Sequence, residues 1–138
     1  MSTVEVTISA LVHAAPDTVW QCWTDPQHIT GWNFASDDWC CPRATNDLRV
    51  GGLYCARMEA KDGSFGFDLK TTYDAIEPGT LLVSTMEDGR KIRTSFEAGA
   101  NGVQITTIFD AETQNPVEMQ RQGWQAILDN FKAYAERA

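Results

Sequence analysis

The stretch NPVEMQRQGWQAILDNFKAYAERA, residues 115–138, decides the fold of this chain. It predicts one long helix, because its apolar residues recur at the three-and-four spacing that places side chains on one helix face. These residues are Val117, Trp124, Ile127, Leu128, Phe131, Tyr134 and Ala135. Asn115 is the expected N-cap, with Pro116 in the first helical position and Glu118 completing a capping box. A helix with so wide an apolar face needs a sheet to cover it.

The preceding residues predict that sheet. Residues 3–12 alternate between polar and apolar side chains, which is typical of a half-buried strand. Five further strand-like runs, separated by glycine-containing turns, cover residues 53–60, 65–76, 81–86, 90–97 and 103–110. Two short helices are expected between the first strand and these runs, one starting at Pro16 and one from Pro26 through Ile29. Residues 32–45 show no clear period and are expected to be irregular.

Length and composition limit the function classes. With 138 residues, of which 43% are hydrophobic and 22% charged, the chain is expected to form one globular domain over residues 1–138. The net charge of −8 argues against a nucleic acid or an anionic membrane surface as partner, since basic patches bind phosphates.

The N-terminal residues and the cysteines indicate where the protein works. No signal peptide or membrane-spanning run is evident, and the four cysteines form neither a C-x-x-C pair nor a disulfide framework. We therefore expect a cytoplasmic location, no metal and no cofactor.

Three segments together resemble a known superfamily. Residues 16–20, with Trp23 to Pro26 and Trp32, are similar to its first helix pair. Residues 47–52, with Met58 and residues 62–63, are similar to its central signature. Gln122 to Gln125, Leu128 to Phe131 and Tyr134 are similar to its terminal helix. The chain therefore resembles the START-like, or SRPBCC, superfamily. Within that superfamily it looks like the bacterial proteins similar to the C-terminal domain of the heat-shock-protein-90 ATPase activator.

The resemblance implies a fold and a class of function. It implies an α+β helix-grip fold, in which a curved antiparallel sheet wraps around the C-terminal helix and encloses a cavity for a hydrophobic small molecule. Lipid carriers, polyketide cyclases and hydrolase-like proteins share this fold, so the resemblance does not by itself fix an activity. The eukaryotic activator makes a major chaperone contact through a separate N-terminal domain that these 138 residues do not include. A chaperone partner is therefore an alternative without support from the residues, and a homodimer is compatible with every alternative.

The candidate ligand-binding residues are bulky or polar side chains expected to face the helix or the rim of the cavity. They are Trp32, Trp39, Tyr54, Met58, Phe67, Thr94, Phe109, Arg121, Trp124 and Leu128. Each of them could instead pack as solid core, since protein interiors are dense, and Arg121 could equally be a solvated or salt-bridged residue.

Catalysis is the main alternative to binding. His28 is the histidine expected nearest the rim and would be the general base at neutral pH. Asp37, Asp38 and Arg121 are further candidates for acid, base or anion-binding roles, although adjacent acids in a loop are usually only solvated. We expect a protein that binds an aromatic or acyl molecule. An enzyme of the cyclase, dehydratase or hydrolase type, or a chaperone-interacting stress-response module, is the alternative.

Overall fold

The computed structural model describes residues 4–138, which form a seven-stranded antiparallel sheet and three helices. The strands are β1 Glu5–Val12, β2 Trp39–Asn46, β3 Leu53–Ala60, β4 Gly66–Glu77, β5 Leu81–Met86, β6 Lys91–Gly99 and β7 Gly102–Asp110. The helices are α1 Pro16–Thr24, α2 Pro26–Ile29 and α3 Val117–Arg137. The sheet order is β1-β7-β6-β5-β4-β3-β2, so β1 and β2 are its edges. The expected strand over residues 3–12 begins at Glu5, and Thr3 lies outside the described residues.

The helix-grip prediction is confirmed: the sheet curls as a half-barrel and α3 packs in it. Alternation determines which side chains face α3, since successive residues of a strand point to opposite faces. In β1, Val6, Ile8 and Val12 are buried and Ala10 is half-buried, and in β7 the odd positions from Val103 to Phe109 are buried. They meet Leu128, Phe131 and Ala135 of α3.

Three aromatic side chains join the short helices to α3. The rings of Trp23 and Trp32 lie 5.1 Å apart, and each contacts Phe131 edge-on at 4.8 and 4.9 Å. Trp32 is fully inside the fold, and its indole N–H donates to the carbonyl of Cys22 at 2.8 Å. This cluster packs α1 and the segment after α2 against α3.

Side chains of α3 also cover the free edge of β1. Arg121, Gln125 and Lys132 donate to the carbonyl oxygens of Thr7, Ser9 and Leu11, at 3.0, 3.1 and 2.6 Å. An uncovered edge strand is a site for pairing with another chain. The helix therefore packs in the half-barrel and protects one edge of its sheet at the same time.

Two expectations about local structure are wrong. Residues 32–45 are not irregular throughout, because β2 begins at Trp39; its pairing with β3 shifts between Cys40 and Arg43, which hides the alternation, and Pro42 lies at the shift. The capping box at Asn115 and Glu118 does not form. The N-cap of α3 is Pro116, without a side-chain cap, and the amide of Asn115 donates to Glu112 instead.

Candidate functional site

A cavity of about 370 Å³ lies between the sheet and α3. Its walls are mainly apolar, and the side chains come from the sheet, from α3 and from the region of the two short helices. The apolar and aromatic ones are Ile8, Trp23, Trp32, Tyr54, Met58, Phe67, Leu69, Tyr73, Leu82, Met86, Ile92, Trp124, Ile127 and Leu128. The polar and charged ones are Asn33, Thr71, Ser84, Arg90, Thr94, Thr107, Glu112, Asn115 and Gln120.

The cavity reaches solvent at the end of the half-barrel where α3 begins. Among the lining residues, Phe67 at the start of β4 and Asn115 before α3 are exposed. The strand register brings these elements to one end. The first half of β4 lies beside the end of β5, where Thr71 pairs with Met86, and the start of β6 lies beside the end of β7, where the amide of Lys91 donates to Asp110 at 2.8 Å. We call this opening the mouth.

One side of the mouth is polar and held in place by hydrogen bonds. The carboxylate of Glu112 accepts from the amides of Gln114 and Asn115 at 2.8 and 2.9 Å. These bonds, first that from Gln114, lower the pKa of Glu112, so it is ionised at neutral pH. The Gln120 amide donates to the carbonyls of Glu112 and Asn115. Arg90, which also lines the cavity, pairs through its guanidinium with Asp88 at 2.7 Å.

The other side of the mouth is aromatic. The rings of Trp39, Phe65 and Phe67 contact one another with centroids 6.0 to 6.4 Å apart, and we call them the aromatic patch. Phe65 is 63% and Phe67 42% exposed, although Phe67 also lines the cavity. The patch therefore joins the cavity wall to the outer surface.

Of the ten predicted ligand-binding residues, seven line the cavity: Trp32, Tyr54, Met58, Phe67, Thr94, Trp124 and Leu128. The other three lie elsewhere. Trp39 belongs to the aromatic patch, and Phe109 is covered by Trp124. Arg121 points away towards β1, where it contacts Thr7 and Glu118.

The candidate catalytic residues are not brought together at the cavity. His28 Nδ1 lies 2.8 Å from the Tyr134 hydroxyl, where α2 meets the end of α3. Asp37 belongs to a separate depression between residues 34–37 and α3, and Asp38 precedes β2. With Arg121 on the β1 side, none of the four is among the residues that line the cavity.

Sequence reasoning missed several lining residues, for two reasons. Thr71 and Ser84 lie in phase with apolar neighbours on β4 and β5, so the alternation itself could have identified them. Asn33 and Glu112 lie in loops, where no periodicity shows which way a side chain points. Asn33 is buried, and its amide donates to the Tyr54 hydroxyl at 2.9 Å.

Two features are absent from the part of the chain that the structure describes. Across residues 4–138, no three His, Cys, Asp or Glu side chains are arranged to hold a metal ion. Over the same residues, no helix combines the length and the hydropathy that crossing a bilayer requires.

Comparison with known proteins places this architecture in a family. Residues 13–136 match the family described as Activator of Hsp90 ATPase homolog 1-like protein. The chain belongs to this family. The expected resemblance, including its START-like or SRPBCC type, is thereby confirmed. A search of curated proteins finds no match.

Solved structures agree with the family assignment. The AHSA1-like protein of Aeromonas hydrophila is 42% identical over 97% of this chain and 93% of its own, with a TM-score of 0.91. A protein of Cytophaga hutchinsonii is also 42% identical, over 98% of this chain and 92% of its own, with a TM-score of 0.80. A protein of Chromobacterium violaceum, at 20% identity, 96% and 98% coverage and a TM-score of 0.86, shares the fold.

Proposed function

We propose that this protein binds an apolar small molecule in the cavity between the sheet and α3. The observation that carries the proposal is the cavity of about 370 Å³, open at one end and lined mainly by apolar side chains. Ligand sites in proteins typically have volumes of roughly 300–1,000 Å³, apolar walls and a few polar groups. A tightly packed core would not leave such a space, because interiors contain few voids larger than a water molecule.

The walls provide affinity for an aromatic or acyl molecule. Trp23, Trp32 and Trp124 contribute large flat surfaces, and Leu82, Ile92 and Ile127 contribute aliphatic ones. Burial of a ligand against them contributes roughly 25 cal/mol per Å² of apolar surface, before the entropy cost of immobilising the ligand.

The mouth supports entry of an apolar molecule. The aromatic patch continues the apolar wall outward through Phe67, so a ligand can make contact before it enters. The opposite, hydrogen-bonded side of the mouth keeps Glu112 and Arg90 at the entrance. A ligand with one polar end would leave that end between these two side chains.

Binding has more structural support than catalysis. An enzyme working in the cavity needs an acid, base or nucleophile beside the substrate. His28, Asp37, Asp38 and Arg121 all lie outside the lining, and the lining carboxylate of Glu112 is engaged at the mouth by the amides of Gln114 and Asn115. A chaperone interaction would instead use an exposed apolar surface. The exposed aromatic patch adjoins the mouth of the cavity, and this position favours a role for the patch in ligand entry.

Two measurements test the proposal. Native mass spectrometry of the freshly purified protein, compared with the denatured mass, should reveal a retained small molecule. Titration with the neutral fluorophore 1-aminoanthracene should raise its emission. Ile92→Trp fills part of the cavity from β6 and should abolish this increase.

Arg93→Trp is the matched control, because Arg93 is the next residue on the same strand and is exposed. It should leave the titration unchanged, and circular dichroism should show both variants folded. No retained molecule together with no fluorescence increase in the wild type would overturn the proposal.

A further inference from the structure

The turn between β6 and β7 contains the pair Asn101-Gly102, at the end of these strands away from the mouth. An asparagine followed by glycine can lose ammonia without an enzyme, because the next backbone nitrogen attacks the side-chain amide carbon and closes a succinimide ring. Glycine favours this attack, since it has no Cβ to shield its nitrogen. The turn therefore has the covalent arrangement of a deamidation site.

The other four asparagines of the chain are held or blocked. Asn33 is buried, and its amide donates to a tyrosine hydroxyl at 2.9 Å. The amides of Asn46 and Asn130 each donate to a backbone carbonyl, at 2.7 and 3.0 Å. Asn115 precedes Pro116, whose nitrogen carries no hydrogen that ring closure could release. None of these side chains is positioned to close a succinimide.

The side chain of Asn101 lacks such restraints. Residue 101 is exposed, and within residues 4–138 its side-chain amide makes no hydrogen bond; its recorded contact is through the backbone carbonyl. The carboxamide can therefore turn towards the Gly102 nitrogen, and solvent water reaches the site.

Two aspartates that precede glycine, Asp62 and Asp88, are protected from the corresponding reaction. Ring closure at an aspartate requires the protonated carboxyl group, because water is the leaving group. Bonds from the Ser64 hydroxyl and amide lower the pKa of Asp62. Burial acts to raise the pKa of Asp88, but the bonds and charge of Arg90 outweigh it and lower this pKa. Both carboxyls are therefore ionised at neutral pH and do not cyclise.

The imidazole of His13 contacts the carbonyl that decides the product. Its Nδ1 lies 2.8 Å from the backbone carbonyl oxygen of Asn101, so Nδ1 is the donor and carries the hydrogen. Water opens a succinimide at either of its two carbonyl carbons. Attack at the former side-chain carbon gives aspartate, and attack at the backbone carbonyl carbon gives isoaspartate. A hydrogen-bond donor stabilises the charge that develops on the attacked carbonyl. This contact therefore favours isoaspartate.

We propose that Asn101 deamidates spontaneously in the folded protein and that His13 directs the product towards isoaspartate. The Gly102 nitrogen bonds to Asn101 Cγ and loses its proton, while the Cγ–Nδ2 bond breaks and ammonia leaves. Water then adds to the backbone carbonyl carbon of residue 101, and the bond from that carbon to the ring nitrogen breaks. The net reaction consumes water and releases ammonia, with no oxidation or reduction.

The modification changes the junction of β1, the β6–β7 turn and the end of α3. The amide of His13 donates to Glu136 on α3 at 2.8 Å. The turn lies close against β1, since a Cβ on Gly102 would be 2.1 Å from the Val12 carbonyl oxygen. Isoaspartate adds one carbon to the main chain of this turn and places a carboxylate beside the imidazole. The deamidated protein therefore carries one more negative charge.

Incubation of the whole folded protein in mildly alkaline buffer tests the proposal. Trypsin cuts after Arg93 and Arg121, so Asn101 and Asn115 fall in the same peptide and Asn115 is an internal control. Fragmentation in a mass spectrometer should locate the mass gain of amide-to-carboxyl conversion at Asn101, with none at Asn115. A fresh sample digested in parallel corrects for changes during digestion. Anion exchange should show an acidic species that grows with the same time course.

Two variants separate the site from the choice of product. Asn101→Gln would have to close a larger ring and should not accumulate the acidic species. His13→Ala should still deamidate but give a larger share of aspartate, measured with a protease that cleaves before aspartate and not before isoaspartate. His28→Ala is the matched control, because His28 contacts Tyr134 rather than the turn, and it should keep the wild-type share. Circular dichroism should show that all three variants are folded.

The outcomes are distinct. If Asn101 keeps its amide as completely as Asn115 does, the deamidation site is overturned. If deamidation occurs but His13→Ala leaves the ratio of isoaspartate to aspartate unchanged, the directing role of His13 is overturned.

Discussion

The indole of Trp124 stacks on the ring of Phe109, with centroids 3.9 Å apart and planes inclined by 9°. This contact joins α3 to β7, the strand between β1 and β6, where Phe109 pairs with both Val6 and Ile92. Trp124 lines the cavity on its other side. One side chain thus contributes both to the packing of the helix and to the wall of the site.

Trp124→Ala should destabilise the fold and enlarge the cavity together. Loss of the stack should lower the free energy of unfolding by about 3 kcal/mol, as for other large-to-small aromatic substitutions in cores. Urea unfolding measures this change. Trp124→Phe keeps an aromatic ring over Phe109 and should cost clearly less. An unchanged unfolding midpoint for Trp124→Ala would contradict the role given to the stack.

Two Gly→Ala substitutions should have opposite signs. A Cβ at Gly31 would lie 2.5 Å from Tyr134 Cε2, so Gly31→Ala displaces the ring that bonds to His28. We expect a loss of about 1–3 kcal/mol from this overpacking. A Cβ at Gly123, within α3, has nothing within 4 Å. Gly123→Ala should therefore stabilise the protein by about 0.5–1 kcal/mol through helix propensity.

Thermal unfolding of the two variants beside wild type checks both signs. A stabilising Gly31→Ala would show that Tyr134 moves without cost. The hydrogen bond between Tyr134 and His28 would then have no part in holding α2 against α3.

Glu136 should contribute to the pH dependence of stability. Its carboxylate accepts from the amide of His13 at 2.8 Å and from Lys132 Nζ at 2.6 Å. These bonds, first that from His13, lower the pKa of Glu136 below its ordinary value of 4.5. The ionised form therefore stabilises the fold above that value, and the contribution is lost as the pH falls through the lower, folded-state pKa.

Glu136→Gln should accordingly destabilise the protein at neutral pH and differ less from wild type in acid. Urea midpoints measured from about pH 7 to about pH 3 show this convergence. Glu97→Gln, at an exposed position of β6, is the control and should follow wild type throughout. A difference for Glu136→Gln that is constant with pH would assign its effect to something other than ionisation.

The side chain of Asn46 links its own strand, β2, to β4 and to α1. Its oxygen accepts from the Tyr73 hydroxyl at 2.8 Å, and its amide donates to the Thr24 carbonyl at 2.7 Å. Burial raises the pKa of Tyr73 to about 12, so the phenol is the donor. Asn46→Leu should cost about 2 kcal/mol, because it leaves the buried Tyr73 hydroxyl without its acceptor.

Tyr73→Phe removes only the first of these bonds and should cost about 1 kcal/mol. The double variant should be less destabilised than the sum of the single variants, because they share one hydrogen bond. Additive costs in urea unfolding would show that the two side chains act independently.

Most of the strands could be predicted from alternation, because one face of each is buried. Leu53–Ala60 and Leu81–Met86 have the bounds that the sequence indicates. Strand β2 was missed, because its register shift lies within an eight-residue strand and breaks the period. The start of α3 was placed too early. In the expected capping box the backbone amide of Asn115 would donate to Glu118, but in the structure it donates to the carboxylate of Glu112.

The candidate site could be predicted where the position of a residue in the strand alternation determines to which face of the sheet its side chain points. Tyr54, Met58 and Thr94 line the cavity because they share the inward phase of their strands. Arg121 lies on the β1 side, one residue after the lining residue Gln120, because each step along a helix turns the side chain by about 100°. The sequence gives no sign of which neighbouring strand edge would receive its guanidinium.

Apart from β2, the sequence by itself determined the elements, their order and the face that each one buries, because these follow from local periodicity and turn chemistry. Only the tertiary structure decided that Phe109 is covered by Trp124 and that Thr71 and Ser84 open into the cavity. Whether an inward side chain is packed or borders a cavity depends on the curl of the sheet and on the distance of α3 from each strand. Those distances are set by contacts between residues far apart in the chain, such as Trp124 with Phe109 and Arg121 with Thr7.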